Sequence, residues 1–94
     1  MEYIAKINWI KPTEGGRTGN IPFNTEKYAP RIKVQTNQEN WSLIVNNFKK
    51  VDNFTTLAKV HYLNIEKAPK NLFVGLNFEL YEGPKKVARG IIIK

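Results

Sequence analysis

Apolar and polar side chains alternate with a period of two along most of this 94-residue chain, and this pattern constrains the fold more than any other feature. Because successive side chains of a strand point to opposite faces, such alternation predicts half-buried β-strands. The longest case, residues 72–80, places five apolar side chains on one face: Leu72, Val74, Leu76, Phe78 and Leu80. Further strands are predicted over residues 3–10, 31–36, 41–45, 55–63 and 86–94. A single capped turn at residues 24–27 is the only helical candidate.

Six short strands leave two unpaired sheet edges unless the sheet closes on itself. We therefore predict an all-β fold in which residues 1–94 form one small, closed, six-stranded antiparallel barrel, with an open sandwich as the alternative. Gly75 and Gly90 fall inside predicted strands, where a missing side chain permits the strong coiling of a small barrel. Gly83 and Pro84 form the turn of the last hairpin, because glycine allows a positive φ and proline fixes the next φ.

Composition excludes several classes of function. Without cysteine, the chain has no disulfide, thiolate metal site or thiol nucleophile. No apolar run approaches the ~20 residues of a membrane span, and Met1 leads directly into the alternating pattern without a secretory leader. We therefore expect a cytoplasmic protein that does not engage a membrane. The net charge of +7 favours RNA or an acidic protein surface as partner, although solvated surface lysines explain it equally well.

Catalytic chemistry has little support in the sequence. His61 is the only histidine, and it lies in an apolar strand where a hydrogen-bonded packing role is commoner than a ligand role. The eight acidic residues are scattered, and no nucleophile–histidine–acid arrangement can be assembled from them. We expect no enzymatic activity, no catalytic residue, no metal site and no cofactor.

Three segments, taken in order, resemble a known family. They are KPTEGGRTGNIPF at residues 11–23, KYAPRIKVQT at residues 27–36 and LNFELYEGPKKVARGIIIK at residues 76–94. Their succession is similar to the C-terminal β-barrel of elongation factor Tu, its third domain, across essentially the whole chain. The family has a Glu-Gly-Gly-Arg loop leading to Pro-Phe, then a Tyr-Arg-Pro segment, and ends on a hairpin. The resemblance implies a closed barrel of the Greek-key type, here as a stand-alone protein.

The same resemblance implies a partner. In the family, this barrel touches the T-stem backbone of aminoacyl-tRNA through the turn of the last hairpin and through a Lys-Pro turn before the penultimate strand. Gly83 matches the first position, and Lys67 lies near the second. The basic residues around these two turns are Lys67, Lys70, Lys85 and Lys86. We therefore expect contacts with the RNA (tRNA-like) backbone, which need charge and shape instead of base edges. The alternative is that these lysines only keep strand ends soluble.

The family comparison also excludes one ligand. The chain has no Gly-x-x-x-x-Gly-Lys-Ser/Thr phosphate-binding loop, so we expect no GTP binding or hydrolysis. The turn of the last hairpin, Glu82-Gly83-Pro84-Lys85, departs from the Glu-Gly-Gly-Arg pattern of the family. Pro84 has no backbone N–H, so this turn lacks one donor that a phosphate could use.

The segment Gly15-Gly16-Arg17 has two interpretations. The first is structural: two glycines adopt conformations forbidden to other residues and carry a long connection across one end of the barrel, while Arg17 faces water or pairs with Glu14. The second is functional, because an arginine on a loop shaped by glycines can bind phosphate or carboxylate with both arms of its guanidinium.

Aromatic residues divide between core and surface. Trp9 and Trp41 share strand faces with apolar residues and are predicted to fill the core. Phe48 and Phe54 lie in a polar, loop-like segment and are candidates for exposed rings or for a plug over the barrel end. The sequence thus leads to two hypotheses: an RNA-binding module that uses Arg17 and the turn lysines, and a protein-interaction module that uses an apolar barrel face.

Overall fold

The computed structural model describes residues 2–34, 37–64, 66 and 72–94, with the backbone alone for residues 37–40. The described residues form six strands: β1 (Tyr3–Trp9), β2 (Arg31–Val34), β3 (Asn37–Asp52), β4 (Thr55–Tyr62), β5 (Asn77–Glu82) and β6 (Lys85–Ile92). They close into a barrel in the order β1-β4-β3-β2-β5-β6, and every neighbouring pair is antiparallel. The predicted fold class, an all-β closed six-stranded antiparallel barrel, is confirmed.

The connectivity defines the two ends of the barrel. Strands β2, β3 and β4 follow one another as antiparallel neighbours, while β1 lies beside β4 and is joined to β2 by residues 10–30. This is a Greek-key arrangement. At the upper end, β1, β3 and β5 finish and β2, β4 and β6 begin. The long connection and the turns of the β3–β4 and β5–β6 hairpins therefore all lie at the upper end.

The core confirms the predicted alternation of the first strand. Ala5, Ile7 and Trp9 are buried on the inner face of β1, and Trp9 is 5% exposed. Trp41 is half-buried at the margin of the core, where its ring meets Tyr62 edge-on with centroids 6.2 Å apart. The remaining strands contribute mainly branched aliphatic and aromatic side chains, among them Ile32, Val34, Leu43, Val45, Val60, Phe78, Leu80, Val87 and Ile92.

A chain of buried hydrogen bonds runs through the upper part of the barrel. The indole nitrogen of Trp9 donates to Thr56 Oγ1 at 2.9 Å, and the Thr56 hydroxyl donates to Asn47 Oδ1 at 2.6 Å. Asn47 Nδ2 then donates to the Pro22 carbonyl at 2.8 Å. Because the side-chain atoms of this network hydrogen-bond to one another and to the Pro22 carbonyl, the network joins β1, β4 and β3 to the long connection while its hydrogen bonds offset the loss of hydration.

Three predicted strand boundaries are wrong, one in β5 and two in β3. Strand β5 begins at Asn77 and not at residue 72, because Gly75 sits in a turn with φ of +96°. Phe73 and Val74 are exposed in that turn, at 56% and 63%, so their alternation is not that of a strand. Gly90, in contrast, does lie inside β6, as predicted.

Strand β3 is much longer than the predicted residues 41–45. It continues to Asp52 with register shifts between Asn47 and Lys49 and between Lys50 and Asp52, so the segment predicted as a loop is strand and turn. Phe48 is 40% exposed on this strand, whereas Phe54 is half-buried against the core.

The start of β3 is also wrong, because this strand begins at Asn37 and not at residue 41. The remaining strand ends agree with prediction to within one or two residues, although residues 35 and 36 lie outside the described part. The described helical turn is a 3-10 turn at Pro12–Glu14, whereas the capped turn expected at residues 24–27 does not form a helix. None of the helical structure in the described residues is long and apolar enough to cross a bilayer.

Candidate nucleic-acid interface

The β5–β6 hairpin carries the turn that the sequence singled out. Glu82 pairs with Lys85, and Gly83 between them has φ of +60°, which is the conformation expected at the first central position of a type II′ turn. Pro84 fits the second position, because its fixed φ is negative. The turn therefore forms as predicted, and Gly83 projects its backbone at the upper end of the barrel without a side chain.

Glu82 anchors this turn to the long connection. Its Oε2 accepts a hydrogen bond from Arg17 Nε at 2.7 Å and another from the Tyr28 hydroxyl at 2.5 Å. The Arg17 guanidinium also stacks over the Tyr28 ring at 5.4 Å and donates to the Asn20 carbonyl. Burial and the hydrogen bond to Glu82 raise the pKa of the Tyr28 hydroxyl well above its ordinary value, so Tyr28 remains a neutral donor. The result is a closed cluster of two charges and two rings, since Tyr28 in turn packs on Trp9 with centroids 5.9 Å apart.

Arg17 thus connects the long connection to the β5–β6 hairpin. It pairs with Glu82 and not with Glu14, and its side chain is 23% exposed. The two glycines before it are required by the backbone: Gly15 has φ of +89°, and a Cβ on Gly16 would lie 1.9 Å from the Ile10 carbonyl oxygen. The structural interpretation of the Gly15-Gly16 pair therefore accounts for both residues.

Cations gather on the outer face of β2, β5 and β6, directly below the turn. Arg31 lies opposite Tyr81 and donates from Nη2 to the Gly83 carbonyl at 2.7 Å, with its guanidinium 5.8 Å from the Tyr81 ring centre. On the other side of Tyr81, the strand register places Lys86. Each of these residues lies on the face opposite the core, where alternation directs its side chain outward.

One carboxylate interrupts this positive surface. Glu79 lies opposite Lys33 of β2 and Arg89 of β6, and it forms an ion pair with Lys86 at 2.6 Å. The Lys86 ammonium holds the pKa of the Glu79 carboxyl below its ordinary value of 4.5. The Tyr81 hydroxyl adds a hydrogen bond at 3.3 Å. We call this the hairpin face, and it consists of Arg31, Lys33, Glu79, Tyr81, Lys86 and Arg89, while Lys85 lies in the turn next to it.

A groove of about 630 Å³ opens beside the hairpin face. Two tyrosines and one arginine are among its lining residues, so aromatic and positively charged groups lie next to each other there. The residues that line it are Tyr28, Ala29, Pro30, Arg31, Ser42, Tyr81, Glu82, Gly83 and Pro84.

The predicted site residues separate into two groups. Arg17, Gly83, Lys85 and Lys86 come together at the β5–β6 hairpin. Lys67 and Lys70 lie outside the described residues.

No protein-family model matches the chain, and no curated protein matches it. The likeness to elongation factor Tu therefore depends on the motif succession and on the barrel itself.

Sequence reasoning missed four members of the hairpin face: Arg31, Lys33, Tyr81 and Arg89. The sequence held a signal for two of them, because Arg31 and Lys33 alternate with Ile32 and Val34 in a predicted strand, whereas Tyr81 follows the predicted strand 72–80 and Arg89 shares its phase with Val87 and Ile91. What the sequence could not show was that β2 and β5 are neighbours, because residues 31 and 81 meet only after the barrel closes.

Proposed function

We propose that this chain is a non-catalytic module that binds the phosphate backbone of a tRNA-like RNA through the hairpin face and the Gly83 turn. The observation that carries the proposal is the convergence of four cations, Arg31, Lys33, Lys86 and Arg89, on neighbouring strands around one tyrosine and one carboxylate, with a fifth cation, Lys85, in the adjoining turn. A third-domain barrel of elongation factor Tu is the family that the proposal follows, and the closed antiparallel barrel supports it. Such a module would act in the cytoplasm.

The arrangement suits a backbone contact better than base recognition. Backbone recognition needs cations spaced along a surface, whereas base readout needs donors and acceptors aimed into a groove. Lys85 is exposed beside Gly83, and it has no ion pair within the described residues. The missing side chain of Gly83 lets a phosphate approach the turn closely. Tyr81 offers a ring beside these cations on which an unpaired base could stack.

Lys86 is available to RNA despite its ion pair. Both Lys86 and Glu79 have 32% of their side-chain surface exposed, and pairs at that exposure contribute little free energy. Replacing the Glu79 carboxylate by an RNA phosphate at Lys86 therefore costs little free energy. Arg17, in contrast, is held by Glu82 and Tyr28, so we assign it to positioning the long connection behind the turn.

The proposal is tested by titrating fluorescent tRNA with the chain at several salt concentrations. We expect a logarithmic affinity that falls linearly with the logarithm of salt, and a slope reduced by roughly 0.7–0.9 in Lys85→Ala and again in Arg89→Ala. Lys50→Ala is the matched control, because Lys50 is exposed on β3, away from the hairpin face. Absence of binding at low salt, or equal affinity for tRNA and heparin, would contradict specific RNA recognition.

A second candidate function, binding of an apolar or acidic protein surface, is favoured by exposed apolar side chains at the lower end. Val74 is 63% exposed and Leu63 is 59% exposed, while Ile93 is 43% exposed on the segment that follows β6. The Gly75 amide donates to the Ile92 carbonyl at 2.7 Å, which brings the turn with Val74 beside Ile93. Light scattering in high salt separates the candidates, because apolar association persists where phosphate contacts are screened. A monomer under those conditions, unchanged by Val74→Asp, would count against this second candidate.

A further inference from the structure

The geometry points to a binding site for a divalent metal ion of the zinc class, formed by Glu2, Glu26 and His61 on the outer surface of the barrel. One ring nitrogen of His61 and one carboxylate oxygen from each glutamate all lie within 4.8 Å of one another. The three residues come from separate parts of the chain: the segment before β1, the long connection and β4. This differs from the sequence-based expectation of no metal site, which treated His61 as an isolated imidazole.

The barrel itself brings Glu2 to His61. Strands β1 and β4 are antiparallel with Tyr3 opposite Val60, so the next position of the register places Glu2 opposite His61. Val60 is buried in the core, and alternation therefore directs His61 to the outer face. Side chains directly opposite on one face of an antiparallel pair have Cβ atoms about 4.5–5.5 Å apart, which is within reach of a shared ion.

Glu26 approaches His61 from the β3 side of β4. The long connection runs along β3, where the Asn24 amide donates to the Asn47 carbonyl at 2.9 Å and the Val45 amide donates to the Tyr28 carbonyl at 3.0 Å. Glu26 lies between these two anchor points. Because β3 is the neighbour of β4, with Ile44 opposite His61, a glutamate at this position reaches the same imidazole.

The hydrogen bond that the imidazole makes leaves Nε2 as the nitrogen available to a metal ion. His61 Nδ1 lies 3.0 Å from the Tyr62 carbonyl oxygen, and a carbonyl can only accept, so Nδ1 carries the proton. In the neutral ring Nε2 then has a free lone pair. A backbone carbonyl that fixes the tautomer in this way is the usual outer partner of a metal-binding histidine.

The spacing of the three ligand atoms fits a shared metal ion better than direct hydrogen bonds between the three side chains. Within the described chain, none of the three side chains forms an ion pair or hydrogen bond with another of the three. Ligand atoms of a tetrahedral zinc site stand about 3.3 Å apart, given bonds of about 2.0 Å. Both glutamates are exposed and flexible, so small rotations close the set. The nearest cation on β4, Lys59, directs its ammonium to the Phe48 ring at 6.0 Å.

The donor set selects the class of ion. One imidazole with two carboxylates suits zinc, cobalt or nickel, whereas magnesium and calcium prefer all-oxygen sites. Three protein ligands leave a coordination position for water. A bound ion would join the start of β1 and the long connection to β4, and would therefore stabilise the folded barrel by mass action.

The first test uses wild-type chain without an affinity tag. Zinc chloride is titrated while the proton and carbon resonances of the single histidine are followed by NMR. We expect saturable shifts at one equivalent, a rise in the thermal midpoint, and no such response to magnesium chloride. Cobalt should give the visible absorption bands of a tetrahedral site. Unchanged histidine resonances at excess zinc would overturn the proposal.

The second test uses variants. We expect His61→Gln to abolish saturable zinc binding and Glu26→Gln to weaken it at least about tenfold. Glu14→Gln is the control, because it removes the same charge from an exposed glutamate of the same connection. Equal zinc affinity in wild type and His61→Gln, or equal loss in Glu14→Gln and Glu26→Gln, would show binding elsewhere and sink the assignment.

Discussion

Arg17 donates a hydrogen bond from Nε to Glu82 Oε2 across 2.7 Å, although 65 positions separate the two residues in the chain. The same oxygen accepts the hydroxyl of Tyr28. Glu82 thereby fixes the long connection to the turn of the last hairpin, and the shape of the candidate RNA-binding groove depends on this contact.

Substitution of Glu82 should loosen the upper end of the barrel. We expect Glu82→Ala to lower the free energy of unfolding by about 1–2 kcal/mol, because Arg17 and Tyr28 both lose their acceptor, while partial exposure limits the loss. Urea denaturation measures it. In a double-mutant cycle with Arg17→Met, a coupling of at least about 0.5 kcal/mol is expected. Strict additivity of the two variants would contradict the contact, and Glu14→Ala serves as the neutral control.

The buried network of Trp9, Thr56 and Asn47 predicts a larger effect. Thr56→Val keeps the shape of the side chain but leaves the Trp9 indole N–H and the Asn47 oxygen without partners. We expect a loss of about 2–3 kcal/mol in the free energy of unfolding. Thr13→Val removes an exposed hydroxyl and should change stability by less than about 0.5 kcal/mol. Equal stability of the two variants would show that the network contributes nothing.

The alternation of polar and apolar residues predicted the barrel because a closed sheet divides every strand into an inner and an outer face. It failed at residues 72–76, where apolar residues alternate without strand structure around Gly75. It failed again after Val45, since bulges in β3 change the phase and the outward residues Lys49 and Lys50 imitate a loop. Both errors arise where backbone geometry, not side-chain polarity, sets the boundary.

The candidate sites were less predictable than the fold. The Gly83-Pro84 turn could be predicted, because its conformation is local. The pairing of Arg17 with Glu82, the position of Arg31 beside Tyr81, and the approach of Glu26 to His61 all depend on which strands become neighbours. That information is held by the whole set of strand registers, and no short segment carries it.

The Glu79–Lys86 pair predicts a pH dependence of stability. The pKa of Glu79 is lower in the folded chain than its ordinary 4.5, so the unfolded state binds more protons as the pH falls. The stabilisation is therefore present above about pH 4.5 and is lost as the pH decreases through the folded pKa. Lys86→Met should make the free energy of unfolding less dependent on pH in this acidic range, as measured by urea titration at several pH values. Lys85→Met should not, because Lys85 does not contact Glu79; identical pH profiles for wild type and Lys86→Met would contradict the prediction.

Gly90 and Phe78 provide a test of how the barrel closes. The two residues are paired across β5 and β6, and a Cβ on Gly90 would lie 2.3 Å from Phe78 Cζ, so the ring occupies the space that a side chain would need. We expect Gly90→Ala to lower the free energy of unfolding by about 1–3 kcal/mol through overpacking. Phe78→Leu alone should also cost about 1–3 kcal/mol, because it leaves a cavity. In the double variant the smaller side chain makes room for the new methyl group, so its loss should be clearly smaller than the sum of the two single losses. Thermal and urea unfolding of all four proteins measure the coupling, and a double variant as unstable as that sum would mean that the ring does not close over Gly90.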